Sequence, residues 1–139
     1  MNYLLDTCVL SEFTRRRPEE KVVHWLAQID EQKLFISVIT IGEIQHGIER
    51  LPESHRKTEL LVWLNNELIQ RFEGRILPLD TAALILWGSL TARMEQAGQT
   101  MSLMDSLITA TALQNNLIIA TRNGPDFLPC GVQIINPWE

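Results

Sequence analysis

Apolar positions along the chain alternate between short runs and helical spacing. Asn2 to Leu5 is an apolar run that stops at Asp6, a candidate cap for a helix behind it. Arg15, Arg16, Arg17 and then Pro18 break the pattern. Pro18 suits the first turn of the next helix, with Glu19 and Glu20 near its positive end. Val22, Val23, Leu26 and Ile29 supply that helix's stripe, which ends near Asp30. Leu34 to Val38 predicts a second strand. Thr40, with Glu43 three residues later, has the pattern of a capping box. The helix it would start carries Ile41, Ile44, Ile48 and Leu51 and stops at Pro52.

A longer helix is predicted from about Ser54 to Phe72, on Leu60, Leu61, Leu64 and Leu68, with Gly74 closing it. Arg75 to Leu79 makes at most a brief strand, because Pro78 has no N–H for a ladder. Asp80 can cap a helix striped by Ala83, Leu86, Trp87, Leu90 and Met94, and Gly98 is its stop. After a loop through Thr100, a helix runs from about Leu103 to Gln114. Asn115 and Asn116 turn the chain into the strand Leu117 to Thr121, and Val132 to Ile135 is the last strand candidate. Strands separated by helices predict an α/β chain with a central, mainly parallel sheet and helices on both faces. Ligands in such sheets gather beyond the carboxyl ends of the strands. Asp6 and Thr121 to Asn123 fall at that edge.

The chain has 139 residues, 45% of them hydrophobic, which suffices for one domain over residues 1–139 without a disulfide scaffold. The two cysteines, Cys8 and Cys130, form no metal-binding spacing with His24, His46 and His55, and a reducing compartment is expected. The start, with Asp6 and no basic leader, is not a secretory signal. Ser106 to Thr121, the longest uncharged stretch, is too short and polar to span a membrane. A cytoplasmic location follows as the expectation. Twelve basic and 17 acidic side chains give a net charge of −5, which argues against gripping nucleic acid by bulk charge. It does not argue against a nuclease that needs acids to hold a metal.

Asp6 at a strand end, Glu43 in the first turn of a predicted helix, Asp105 at a helix start and Asp126 after the Thr121–Asn123 turn stand out by position. Singly, each has a plain structural use as a cap, half of a capping box, a helix-dipole partner or a loop former. Together at one sheet edge they would repel one another until a divalent cation neutralised them. Mg²⁺ and Mn²⁺ favour such hard oxygen ligands, and phosphodiester hydrolysis is the chemistry they bring.

The blocks LLDTCVLSEF, ISVITIGEIQHGI, MDSLITATAL and LIIATRNGPDF resemble, in order and spacing, the four blocks of PIN-domain ribonucleases. Among these they are most similar to VapC-type toxins of bacterial toxin–antitoxin modules, including the FitB-like branch. The resemblance implies a three-layer α/β/α PIN-like fold, Mg²⁺- or Mn²⁺-dependent endoribonuclease activity and inhibition by a cognate antitoxin. It also implies a homodimer and a toxin–antitoxin hetero-oligomer. The family's metal-binding acids fall on Asp6, Glu43, Asp105 and Asp126, and its polar helpers on Thr7, Thr121 and Asn123. Asp126 corresponds to the acid whose position and role vary across the family. Cys8 stands where the family commonly has Asn. A thiol hydrogen-bonds weakly, so a contact supporting the site is expected to be missing.

Arg15, Arg16, Arg17 and Arg122 are candidate contacts for RNA phosphates. Gly47, one turn after Glu43, either leaves room for RNA or permits tight helix packing. Trp138, beside Pro137, is a candidate fastener of the C-terminal residues. A non-catalytic nucleic-acid or protein-binding module on the same fold is the alternative function, and four acids at one edge argue against it. A phosphatase using Asp6 as nucleophile is disfavoured because Cys8 stands where a second acid two residues on is common.

Overall fold

Tyr3–Leu5 (β1), Leu34–Ser37 (β2), Ile76–Leu77 (β3), Ile118–Ala120 (β4) and Ile134–Ile135 (β5) form one five-stranded sheet. Their order is β3-β2-β1-β4-β5, and every neighbouring pair is parallel. The computed structural model describes residues 1–139 apart from the side chain of Leu128. Successive side chains of a strand point to opposite faces, and the strands divide accordingly between two cores. Tyr3, Leu5, Leu34, Ile36 and Ala120 belong to one, with Val9, Val22, Ile44, Leu64 and Phe72 from the helices. Leu4, Ile119 and the partly buried Phe35 belong to the other, with Ile108, Ala112 and Phe127. Helices therefore cover both faces of a parallel sheet in a three-layer α/β/α arrangement.

The helices are Thr7–Glu12 (α1), Glu20–Ala27 (α2), Val38–Glu49 (α3), His55–Val62 (α4), Ile69–Arg71 (α5), Thr81–Gln96 (α6) and Leu103–Gln114 (α7). None of the described residues forms a helix long and apolar enough to cross a membrane. Asp80 caps α6 as predicted, its carboxylate accepting the Ala83 N–H at 2.9 Å. Gly98 ends that helix with φ of 70°, a left-handed conformation that suits glycine.

Two local predictions are corrected. The start of α3 is capped by Ser37, whose hydroxyl accepts the Ile39 N–H at 3.1 Å. Val38 thus belongs to the helix, Glu43 lies in its second turn, and Thr40 is a buried residue whose hydroxyl has no partner. The chain passes directly from strand to helix, so the first suitable oxygen becomes the cap. The predicted run from Ser54 to Phe72 is helical, but Trp63–Leu68 between α4 and α5 is a π turn. Leu64, Leu68 and Phe72 recur every fourth residue, which in an α-helix drifts by about 40° per step. The wider turn takes up that drift and keeps all three buried.

Two buried cations went unanticipated. Arg75 donates to the carbonyls of Glu31, Leu34 and Arg71 and lies over the Phe72 ring, tying the β3 edge to β2. Lys57 donates to the carbonyls of Glu49 and Leu51 at the end of α3.

The cap assignment is testable by thermal and denaturant melts. Ser37→Ala is expected to cost about 1 kcal/mol, the usual loss of a helix cap. Thr40→Val, which removes an unpaired buried hydroxyl at nearly constant shape, is expected to leave stability unchanged or raise it. The reverse ranking would restore Thr40 as the cap.

Candidate active site

Asp6 is the residue after β1 and the cap of α1, and it is only 8% exposed. Its backbone N–H donates to the Ala120 carbonyl of β4 at 3.0 Å. One carboxylate oxygen accepts the Thr7 N–H at 2.9 Å, and the other accepts the Thr121 hydroxyl at 2.8 Å. Thr121 in turn accepts the Asn123 N–H at 3.0 Å, so Asn123 contributes its backbone to this corner. The Thr7 hydroxyl donates to Glu43 at 3.2 Å, joining α1 to α3. Asp105 sits in the first turn of α7, where its N–H donates to the capping Ser102 hydroxyl at 3.2 Å. Asp126 lies on the 3-10 segment Gly124–Cys130, and its N–H donates to the Asn123 carbonyl at 3.0 Å.

Electrostatics show that these four acids share one field. Burial pushes the Glu43 carboxyl above its ordinary range, the Thr7 bond opposes this, and the charges of Asp6 and Asp105 raise it further. Asp105 is raised first by burial, with its Ser102 contact opposing and the charges of Asp6 and Asp126 adding. Ion pairs among the described residues use Glu12, Glu31, Glu53 and Glu59, and none uses these four. The result is an acidic pocket without its own counter-charge.

The four acids offer carboxylate oxygens, and the one neighbouring sulfur, Cys8, is a thiol held protonated by burial, so the set fits a hard cation such as Mg²⁺ or Mn²⁺ rather than a thiophilic one. Among the described residues, no three Asp, Glu, His or Cys side chains are gathered tightly enough to enclose an ion. Carboxylates that repel one another stand apart, and Mg²⁺ needs only one or two of them beside water and substrate oxygens.

The Cys8 expectation is corrected. Its sulfur accepts the Arg122 N–H at 3.4 Å and lies 3.7 Å from the Thr121 hydroxyl and 4.0 Å from Asp6. Sulfur thus fills the supporting position and joins α1 to the turn after β4. Burial holds the thiol above its ordinary value, so it is poorly suited to act as a nucleophile.

The arginines divide. Arg122 follows Thr121 at the pocket, whereas Arg15 pairs with the buried Glu12 at 3.5 Å. Arg16 and Arg17 are exposed on the segment after α1. Beside Glu43, a groove of about 200 Å³ is lined by Thr7, Ile44, Gly47, Leu60 and Trp63 among others. A Cβ at Gly47 would meet nothing within 4 Å, which excludes tight helix packing as the reason for that glycine. Ser102 and Cys8 are the supporting residues least visible in the sequence. Ser102, three residues before Asp105, was the available signal for a cap.

Residues 3–128 match the family model described as PIN domain. The chain belongs to the PIN-domain family. This PIN domain is 34% identical over 136 residues to Toxin FitB of Neisseria gonorrhoeae, covering 98% of each. It is 33% identical over 136 residues to VapC ribonuclease Y4jK of Sinorhizobium fredii, covering 98% of this chain and 97% of that one. The crystal structure of FitAcB from Neisseria gonorrhoeae has the same architecture, with a TM-score of 0.92, 34% identity and 99% of each chain covered.

Burial of these acids, with their mutual repulsion added, has a measurable pH signature. Raised carboxyl pKa values mean that the folded PIN domain disfavours the charged acids at neutral pH. As pH falls through those values, the native state takes up protons before the unfolded chain does, and stability rises until the unfolded carboxyls titrate. In metal-free protein the pair Glu43→Gln and Asp105→Asn is therefore expected to raise the melting temperature by a few degrees at pH 7. That gain should shrink toward about pH 4, near the unfolded carboxyl range. A gain that stays constant or grows on acidification would contradict the raised carboxyl values.

Proposed function

We propose that this PIN domain is a divalent-metal-dependent endoribonuclease, the toxin of a toxin–antitoxin pair. The observation that carries the reading is the convergence of Asp6, Glu43, Asp105 and Asp126 in one field with no cationic side chain paired to them. The names ribonuclease and toxin borne by full-length relatives support it. Asp6, Glu43, Asp105 and Asp126 would hold Mg²⁺ or Mn²⁺. When bound, the ion supplies a water acidified for attack on phosphorus and positive charge for the phosphoryl oxygens.

The protein's own part is positional. Thr121 and the Thr7 N–H fix both oxygens of Asp6, and the Thr7 hydroxyl fixes Glu43. Arg122, with the exposed Arg16 and Arg17 on the segment after α1 and Arg15 paired to Glu12 beside them, supplies positive charge that the net balance lacks, for the phosphates of the RNA strand. The partners that accompany this function are an antitoxin whose basic residues face the acids, and a second copy of the chain. Leu84 and Ile85 on α6 and Leu103 and Met104 on α7 are exposed apolar side chains suited to such contacts.

Purified protein freed of antitoxin, incubated with structured and unstructured RNAs and with Mg²⁺, Mn²⁺ or EDTA, tests the reaction directly. Cleavage with either metal and none with EDTA is expected. Asp6→Asn and Asp105→Asn proteins should fold normally yet lose at least the roughly hundredfold that disturbing a ligand's support can cost. Activity of both within about twofold of the parent would remove these residues from the site, being far below that loss. Binding to the native state alone predicts a further result: millimolar Mg²⁺ or Mn²⁺ at constant ionic strength should raise the melting temperature of the parent but not of Asp6→Asn. Equal shifts in the two proteins would place the ion elsewhere.

A further inference from the structure

Arg122 is exposed, directly follows Thr121 and has its N–H anchored on Cys8 beside Asp6. The side chain thus starts from backbone that adjoins acids with no paired cation, and its planar fork would match a carboxylate. Among the described residues it makes no ion pair. Instead it lies over the ring of Trp138, 5.3 Å from the ring centre, within the range of a cation–π contact.

The ring is itself held in place. Trp138 packs, half-buried, against the core that contains Leu5 and Val9, and its backbone N–H donates to the Asn136 side-chain oxygen at 2.9 Å. The pairing of β4 with β5 brings both residues to the same edge. Ala120 lies opposite Ile135, and the Thr121 N–H donates to the Ile135 carbonyl at 3.0 Å. Trp138 is thus more than a fastener of the terminal residues. Its ring faces the guanidinium of a residue whose backbone adjoins Thr121 and Cys8.

We propose that Trp138 is a positioning residue: its ring holds the Arg122 guanidinium off the pocket carboxylates and presents it to a phosphate of the RNA strand. The inference rests on the ribonuclease reading and deepens it. An Arg–carboxylate pair would lose twice, tying up an acid needed for a cation and removing a phosphate contact. A cation–π contact holds the guanidinium charge against the ring while its planar fork keeps N–H donors for phosphate oxygens. Lysine has no such fork, so it could not be held in the same way.

The test measures binding of a labelled single-stranded RNA to EDTA-treated protein across a salt series, alongside steady-state cleavage with Mn²⁺. Parent, Arg122→Gln, Arg122→Lys, Trp138→Leu, Trp138→Phe and the Arg122→Gln, Trp138→Leu double variant are compared, each with a thermal melt. Arg122→Gln and Trp138→Leu are both expected to flatten the plot of log affinity against log salt by about 0.7, one phosphate on a single strand. Both should raise KM several-fold and leave kcat nearly unchanged. The double variant should be no worse than Arg122→Gln alone, because the ring acts only through the guanidinium. Trp138→Phe should restore most of the contact, and Arg122→Lys should not.

A parent-like salt slope in Trp138→Leu, or additive losses in the double variant, overturns the positioning role. Full affinity in Arg122→Lys, which leaves the ring and its packing untouched, overturns it independently of how Trp138→Leu folds. A parent-like slope in Arg122→Gln overturns the phosphate contact. Should that variant instead weaken only antitoxin binding, the pair belongs to the protein partner. A parent that cleaves RNA while its variants match it sinks this inference alone. A parent that neither binds nor cleaves RNA removes the ribonuclease reading as well.

Discussion

Leu5 stands opposite Ala120 in the parallel pairing of β1 with β4, and one residue farther on the ladder gives way to a buried hydrogen bond from Thr121 to Asp6. A carboxylate that is 8% exposed is costly unless its oxygens are satisfied, and both of these are. The same carboxylate caps α1, so the direction in which the chain leaves the sheet depends on it. From β1 the chain moves toward β2 and β3 on one side, and β4 and β5 fill the other. The crevice opens where those directions diverge, at the carboxyl ends of β1 and β4. Asp6 and Thr121 are buried at that junction.

The other acids are arranged around that corner by separate elements, each with its own small anchor. Thr7 reaches Glu43 from α1, Ser102 caps the turn that holds Asp105, and Asn123 starts the turn that leads to Asp126. None of these contacts brings a positive charge. Folding therefore concentrates like charge at a place where burial makes charge expensive, and the two large cores on either side of the sheet must sustain it. The buried cations Arg75 and Lys57 serve backbone carbonyls elsewhere in the fold. A net charge of −5 is thus distributed with a purpose, its acids left uncompensated at one edge.

That distribution also explains why chain-wide composition is a poor guide to the partner. Overall acidity opposes binding to a polyanion, but a cluster of unpaired acids next to the Arg122 backbone has two faces chemically. It can take a cation and the phosphate oxygens that come with it, or the basic side chains of an inhibitory protein. Under the proposed function both occupants would compete for the same unpaired acids, which would let a basic partner silence the toxin.

Much of this was legible along the chain because it rests on local rules. Short apolar runs and helical stripes depend on neighbours within a turn or two, so the order of strands and helices, the parallel-sheet class and the edge that gathers Asp6 and Thr121 could all be read directly. The four acids were visible for the same reason, since each ends a strand, lies near the start of a helix or follows a turn. Only the tertiary structure decided how those pieces meet. Which strand lies beside β1, the choice of Ser37 over Thr40 as a cap, and the π turn that keeps Leu64, Leu68 and Phe72 buried all depend on packing between distant segments. So do the hydrogen bonds from Thr7 to Glu43 and from Thr121 to Asp6, and the stacking of Arg122 on Trp138. A spacing along the sequence specifies the direction of a side chain within its own element. It holds no record of the residue from another element that the side chain will meet.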